Sequence, residues 1–98
     1  MNMQAMLKQA QAMQRDMMKA KEEIDKTIFE GENGLVKVTM DGTKKLTNVQ
    51  IDKEGFEVDD LEMLQDMFVI AVNDAMNKVD KMTDEKMGKY TKGMPGLF

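Results

Sequence analysis

The 98 residues make one domain, and a chain of this length buries only about 60 to 65% of the surface its unfolded state exposes, so its core is marginal. With 42% hydrophobic and 33% charged residues, it is too apolar for a disordered chain and too charged for a membrane protein. It has neither cysteine nor histidine, which excludes disulfide staples, thiolate chemistry and Ser-His or Cys-His nucleophile pairs, and its formal net charge of −4 argues against a uniformly cationic nucleic-acid binder.

The opening Met1-Asn2-Met3-Gln4 leads straight into a polar, periodic segment without the basic and apolar regions of an export signal, and no run approaches 18 apolar residues. A cytoplasmic chain with no membrane association is expected. The 13 methionines agree with a reducing compartment, because oxidants convert thioethers to polar sulfoxides. From Asn2 to Asp25 there is neither Gly nor Pro, and Met3, Met6, Ala10, Met13, Met17, Ala20 and Ile24 recur at alternating steps of three and four. That seam predicts one amphipathic helix within residues 1–26.

Residues 27–52 change period. The β-prone runs Thr27-Ile28-Phe29-Glu30, Leu35 to Met40 and Lys45 to Ile51 are separated by Asn33-Gly34 and Asp41-Gly42, dipeptides that tolerate the positive φ angles of tight hairpin turns. They predict a three-stranded antiparallel meander. Val36, Val38 and Met40 share one face of its second strand, and Thr47, Val49 and Ile51 share one face of its third. After an acidic link, Asp59-Asp60-Leu61-Glu62 offers an N-cap aspartate with a glutamate three residues on. Leu61, Leu64, Phe68, Ala71, Ala75, Val79 and Met82 keep helical spacing, so a second long helix spans 59–92, and the Gly/Pro segment 93–98 forms a flexible tail. The fold class is α+β, in the order α-β-β-β-α.

Helices of this length span roughly 35 Å and 40 Å, whereas strands of six residues make a sheet only about 20 Å long. The helices must overhang, and their apolar stripes then face water at a cost of about 25 cal/mol per Å². Self-association covers them, through the meanders or through the helix stripes.

The first helix is barely positive on balance, and the stretch from Lys78 onward is the better cationic candidate. Lys8, Arg15, Lys19, Lys21 and Lys26 outnumber Asp16, Glu22, Glu23 and Asp25, and Lys78, Lys81, Lys86, Lys89 and Lys92 outnumber Asp80, Asp84 and Glu85. Between Lys53 and Asp74 seven carboxylates face one lysine, so nucleic acid should avoid that part. The bland reading makes these lysines a solvated helix face partnered at i,i+4, as Glu22 with Lys26. Met3, Met6, Met13 and Met17 have the spacing of a soft-metal site, but their place on the seam makes core packing the better account, and no metal or other cofactor is expected. Asp59 and Asp60 suit a helix start, and no Gly-rich phosphate loop is present.

The order of elements, with Lys8-Gln9-Ala10-Gln11-Ala12-Met13-Gln14, Gly34-Leu35-Val36-Lys37-Val38-Thr39-Met40-Asp41-Gly42, Val49-Gln50-Ile51-Asp52, Asn73-Asp74-Ala75 and Gly93-Met94-Pro95-Gly96, resembles the YbaB/EbfC family of nucleoid-associated proteins over nearly the whole chain. The resemblance implies a homodimer joined largely through its sheet region, with helices projecting like tweezer arms onto duplex DNA in the cytoplasmic nucleoid. It carries no catalytic motif, so neither an enzyme nor a small-molecule substrate is expected. Under this reading Lys8, Arg15, Lys19, Lys86, Lys89 and Lys92 touch phosphates. A single arginine, Arg15, leaves little scope for bidentate reading of guanine, so sequence preference should be weak. The alternative is a chaperone-like interaction module working through Met3, Met6, Met82 and Met87.

Overall fold

In the first helix, the Asn2 side chain accepts a hydrogen bond from the Gln4 backbone N–H at 3.0 Å, which satisfies one of the helix's otherwise unpaired donors. With no breaker after it, helix α1 runs unbroken over Met3–Lys26. It stops where Thr27 turns extended, the Thr27 hydroxyl donating to the Glu23 carbonyl at 2.6 Å. The computed structural model describes residues 2–91, so Lys92 and the segment 93–98 lie outside the described residues.

Strands β1 (Ile28–Asn33), β2 (Val36–Asp41) and β3 (Leu46–Ile51) form one antiparallel sheet in the order β1-β2-β3. Two short 3-10 turns, Lys53–Gly55 and Val58–Asp60, lead into helix α2 (Leu61–Thr91). The helix starts directly out of the second of these turns. The α-β-β-β-α order expected from the sequence is the order observed.

Helix α2 lies across β1 and β2 and leaves β3 exposed along its length. Val36, Val38 and Met40 alternate inward from β2 and are buried with Phe29 from β1 against Ala71, Ala75 and Val79. Burying each of the larger of these side chains is worth about 1.5 to 3 kcal/mol. The layers come unusually close, because a Cβ on Gly31 would sit 2.0 Å from the Ala71 carbonyl oxygen and 2.7 Å from the Ala75 nitrogen. Small residues on both sides are the condition for that approach.

The two hairpins differ from the turns expected. Gly34 has the positive φ of 55° that its position calls for, but in the second hairpin the left-handed residue is Lys44, with φ 69°. Gly42 serves another purpose. A Cβ there would meet the Ile24 carbonyl oxygen at 1.7 Å, and its N–H donates to the Asp25 carbonyl at 3.3 Å, so it seats the end of α1 on the sheet. Asp41 holds this loop, accepting at Oδ1 from the Thr43 N–H, the Thr43 hydroxyl and the Lys45 N–H. The Thr43 hydroxyl, helped by the two backbone donors and the Lys45 charge, keeps the Asp41 carboxyl below its ordinary value.

A bulge changes the third strand. Val36 pairs with Ile51 and Val38 with Val49, but Met40 pairs with Leu46, which leaves Thr47 as the extra residue. Leu46 therefore replaces Thr47 on the face shared with Val49 and Ile51. Thr47 instead donates to the Thr39 carbonyl at 3.0 Å.

A second, smaller core lies where the helices meet: Ile24, Met87 and Tyr90, with Met17, Ala20 and Met82 against them. Beyond it no described element packs over α1, and residues 3–16 are all exposed. The molecule measures 70 × 21 × 14 Å with a radius of gyration of 19.3 Å, against about 13 Å for a compact chain of this size. It is a small sheet-and-helix body with an arm.

Candidate nucleic-acid interface

Around an axis with 3.6 residues per turn, Lys8, Arg15 and Lys19 fall within about 40° of one another and rise over roughly 16 Å. Met17 and Ile24, the residues that α1 turns toward α2, lie on the opposite side. The cations therefore form a stripe that points away from the body. Among the described residues, none of the three makes an ion pair within 4 Å. Lys26 continues the same stripe but is paired with Glu22 at 2.7 Å, and that contact raises its pKa.

Helix α2 brings its lysines to the flank of this stripe. The Lys86 ammonium donates to Glu23 at 2.8 Å, bridging the helices, and Lys19 adds its charge from the other side of the same carboxylate. The Lys86 hydrogen bond, with its charge and that of Lys19, lowers the Glu23 pKa. Lys89 stands over the Tyr90 ring, 5.0 Å from its centroid, beside Asp16 and Met13 of α1. Thus five of the six cations expected from the sequence lie along α1 or at its junction with α2, two of them contributed by α2. Lys92, the sixth, lies outside the described residues.

Lys86 differs from the rest, since its charge is engaged by Glu23. Lys81 is exposed and has no ion pair among the described residues. A contact between distant segments decides the case of Lys86. Nothing in the sequence marks Lys81, which has Asp84 and Glu85 three and four residues on.

The other end of the molecule carries the opposite charge. Glu54, Glu57, Asp59, Asp60 and Glu62 cluster in the link and the first turn of α2, at the end of the sheet remote from Gly42 and α1. A chain of net charge −4 is in this way polarised, with exposed cations on the arm and acids at the base.

The methionines divide similarly. Met17 packs against the small core and Met87 is 3% exposed within it, whereas Met3 and Met6 are open. Core packing therefore accounts for Met17 but not for Met3, Met6 and Met13. The surface needed for a chaperone-like arm loses Met87, which is spent on holding the helices together.

Because the folded Glu23 pKa is depressed, its contribution is fully present above the unfolded value and is lost as pH falls below that value and through the lower folded one. Replacing Glu23→Gln should therefore lower the melting temperature at neutral pH, and the difference from wild type should vanish on acidification. Parallel melting curves across that range check this. A difference independent of pH would contradict it.

Comparison with known proteins agrees over nearly the full length. A nucleoid-associated protein of Ligilactobacillus salivarius is 48% identical over 99 aligned residues, covering 99% of this chain and 95% of that protein. One from Enterococcus faecalis is 45% identical, covering 98% and 94%, and one from Chloroflexus aurantiacus is 40% identical with both chains fully covered. The crystal structure of the uncharacterized protein HP0035 from Helicobacter pylori is similar in fold, with a TM-score of 0.68 over 98% of this chain and 99% of that one, at 23% identity. A sequence model described as the YbaB/EbfC DNA-binding family matches residues 1–94, and with these relatives it establishes that the chain belongs to that family.

Proposed function

We propose that this protein is a nucleoid-associated homodimer that holds duplex DNA through phosphate contacts, with little preference for sequence. The observation that carries the reading is the stripe of Lys8, Arg15 and Lys19, unpaired and turned outward on a helix that projects from the body. Lys89 and the partly engaged Lys86 extend it, and Lys92, outside the described residues, is counted with them as a phosphate contact. Lysine-dominated contact neutralises phosphates without reading base edges, and the lone arginine fits weak discrimination. The protein then resides in the cytoplasm, on the nucleoid.

The dimer contact lies where α2 leaves the sheet uncovered. Val49 and Ile51 remain 37% and 43% exposed although they share the core-facing side with Val38 and Val36. Phe68 and Val69 border Ile51, forming an apolar groove with Leu64 and Val36. A two-fold contact there buries the open half of the sheet and repeats the cationic arm on one body.

Two measurements test the pair of claims. Ile51→Asp places a charge on each side of the two-fold contact, and losing about 1.5 to 3 kcal/mol of burial per copy should weaken dimerisation by a hundredfold or more. Sedimentation velocity should show the variant as a folded monomer where wild type is a dimer, and an unchanged dimer would displace the contact from this face. In fluorescence anisotropy, two duplexes of unrelated sequence should bind with affinities within severalfold of each other. Binding of one and not the other would contradict low specificity.

A further inference from the structure

The lower half of the apolar seam of α1 is covered by α2. Its last members, Met17, Ala20 and Ile24, lie against Met82, Met87 and Tyr90. The two helices run in opposite directions there, because Lys86 reaches Glu23 while Tyr90, farther along α2, stands beside Met13. The same alternation of three and four continues to the tip through Met13, Ala10, Met6 and Met3, and no other described element packs over these residues. Met3 is 83% exposed and Leu7 beside it 60%. An apolar groove follows this upper half, bordered by Met13 and Tyr90 at one end and by Met3 and Leu7 at the other. A seam whose lower half already seats an antiparallel helix is shaped to take a helix over its upper half as well.

The occupant that fits is α1 of a second copy. With that helix laid antiparallel and centred at Lys8, Met6 comes level with Ala10 of the other copy, large against small, and Met3 with its Met13, two flexible side chains that adapt to the gap. On the rims Leu7 meets Leu7 and Gln9 meets Gln9, so no like charges are brought together. Asp16 falls beside the start of the other α1, whose first turn holds no acidic residue to match the partial positive charge of its free N–H groups. Lys8 and Arg15 stay on the outer side. Antiparallel pairing sends the two bodies in opposite directions and leaves their Lys26 ends roughly 50 Å apart. The β3 faces of those two chains cannot then meet, so the second copy belongs to another dimer.

We infer that the arms of neighbouring dimers pair tip to tip, α1 against α1, antiparallel about Lys8. This contact and the one at β3 use different faces, so their alternation builds an open chain of dimers, with the cationic stripes left outward. Four layers make a short contact. It is weak at the dilution where the sheet contact holds, and it fills when dimers are crowded together, as they are side by side on one duplex. Binding to a long duplex is then cooperative. That consequence rests on the DNA reading, whereas the arm contact itself does not.

Nitroxides placed singly on Gln11→Cys and on Met18→Cys in the full chain test the pairing, since the protein has no cysteine of its own. Both positions lie off the seam. At submillimolar protein, double electron–electron resonance should give a distance between copies within about 25 Å for Gln11→Cys, and one about 20 Å longer for Met18→Cys, because each residue of separation counts twice along antiparallel helices. Dilution should remove both distances while sedimentation still shows the dimer. Met6→Gln combined with Ala10→Gln, neutral and compatible with a helix, should abolish the short distance at every concentration and leave the dimer mass and circular dichroism unchanged. Equal distances at the two positions would mean parallel arms, and no distance at any concentration would mean that the seam is covered by its own chain or by a foreign helix; either result overturns the pairing. On DNA, the doubly substituted variant should keep wild-type affinity for a duplex that holds one dimer and lose the sigmoidal filling of a long one. Failure of wild type to bind either duplex would sink the DNA reading and leave the distances to decide the arm contact.

Discussion

Replacing Lys8, Arg15 and Lys19 together by glutamate is expected to lower affinity for duplex DNA at least about a hundredfold at physiological salt, since each lost phosphate contact forfeits released counterions and a dimer loses six. The fold should be untouched. All three side chains point away from both cores, and none makes an ion pair that the substitution would break. Circular dichroism should match wild type and the melting temperature should fall only slightly, since Lys19→Glu sets a like charge four residues from Glu23, while anisotropy titrations shift. As a control, reversing Lys45, Lys53 and Lys81, which make no ion pair among the described residues and lie off the stripe, removes the same charge and should change affinity much less. Equal losses from both sets would mean that net charge, not the stripe, governs binding.

The largest effect on stability is expected from Gly31→Val. Its side chain would be driven into the backbone of α2 at Ala71 and Ala75, and neither a carbonyl nor an amide nitrogen in mid-helix can move aside. Overpacking of this kind costs about 3 kcal/mol or more, a large share of the roughly 5 to 15 kcal/mol that holds a small domain together. In urea the midpoint should fall by on the order of 1–2 M. Gly88→Ala is the counterpart, because a Cβ there meets nothing within 4 Å. A helix-interior glycine replaced by alanine should gain up to about 1 kcal/mol. If Gly31→Val were as harmless as Gly88→Ala, the close approach of β1 to α2 would be wrong.

The helices and strands were legible because their periodicities are local. The steps of three and four from Met3 to Ile24, and the alternation of Val36, Val38 and Met40, declare which faces seek cover before any tertiary contact is known. Other features depend on how separate segments meet. The bulge that exchanges Leu46 for Thr47 on the inner face is set by a loop pinned by Asp41, and Asp41-Gly42 reads identically whether the glycine supplies a positive φ or merely makes room for Ile24. Nor does any pattern reveal that α2 leaves β3 exposed.

The cationic arm divides in the same way. That Lys8, Arg15 and Lys19 share a face follows from their spacing alone. Lys86 looks like Lys89 in sequence, yet it meets Glu23, sixty-three residues away, across the helix junction. Met87 resembles Met3 in type and place on a seam, but one is core and the other open. Only the angle at which α1 and α2 come together separates these pairs.

The claim that two copies grip DNA by its phosphates is tested most directly by the salt dependence of binding. Anisotropy titrations of a random-sequence duplex over a salt series should give a steep negative slope of log affinity against log salt, and each stripe cation neutralised should reduce that slope by about 0.9 per protomer in contact. A shallow slope that is indifferent to Lys8, Arg15 and Lys19 would contradict the account.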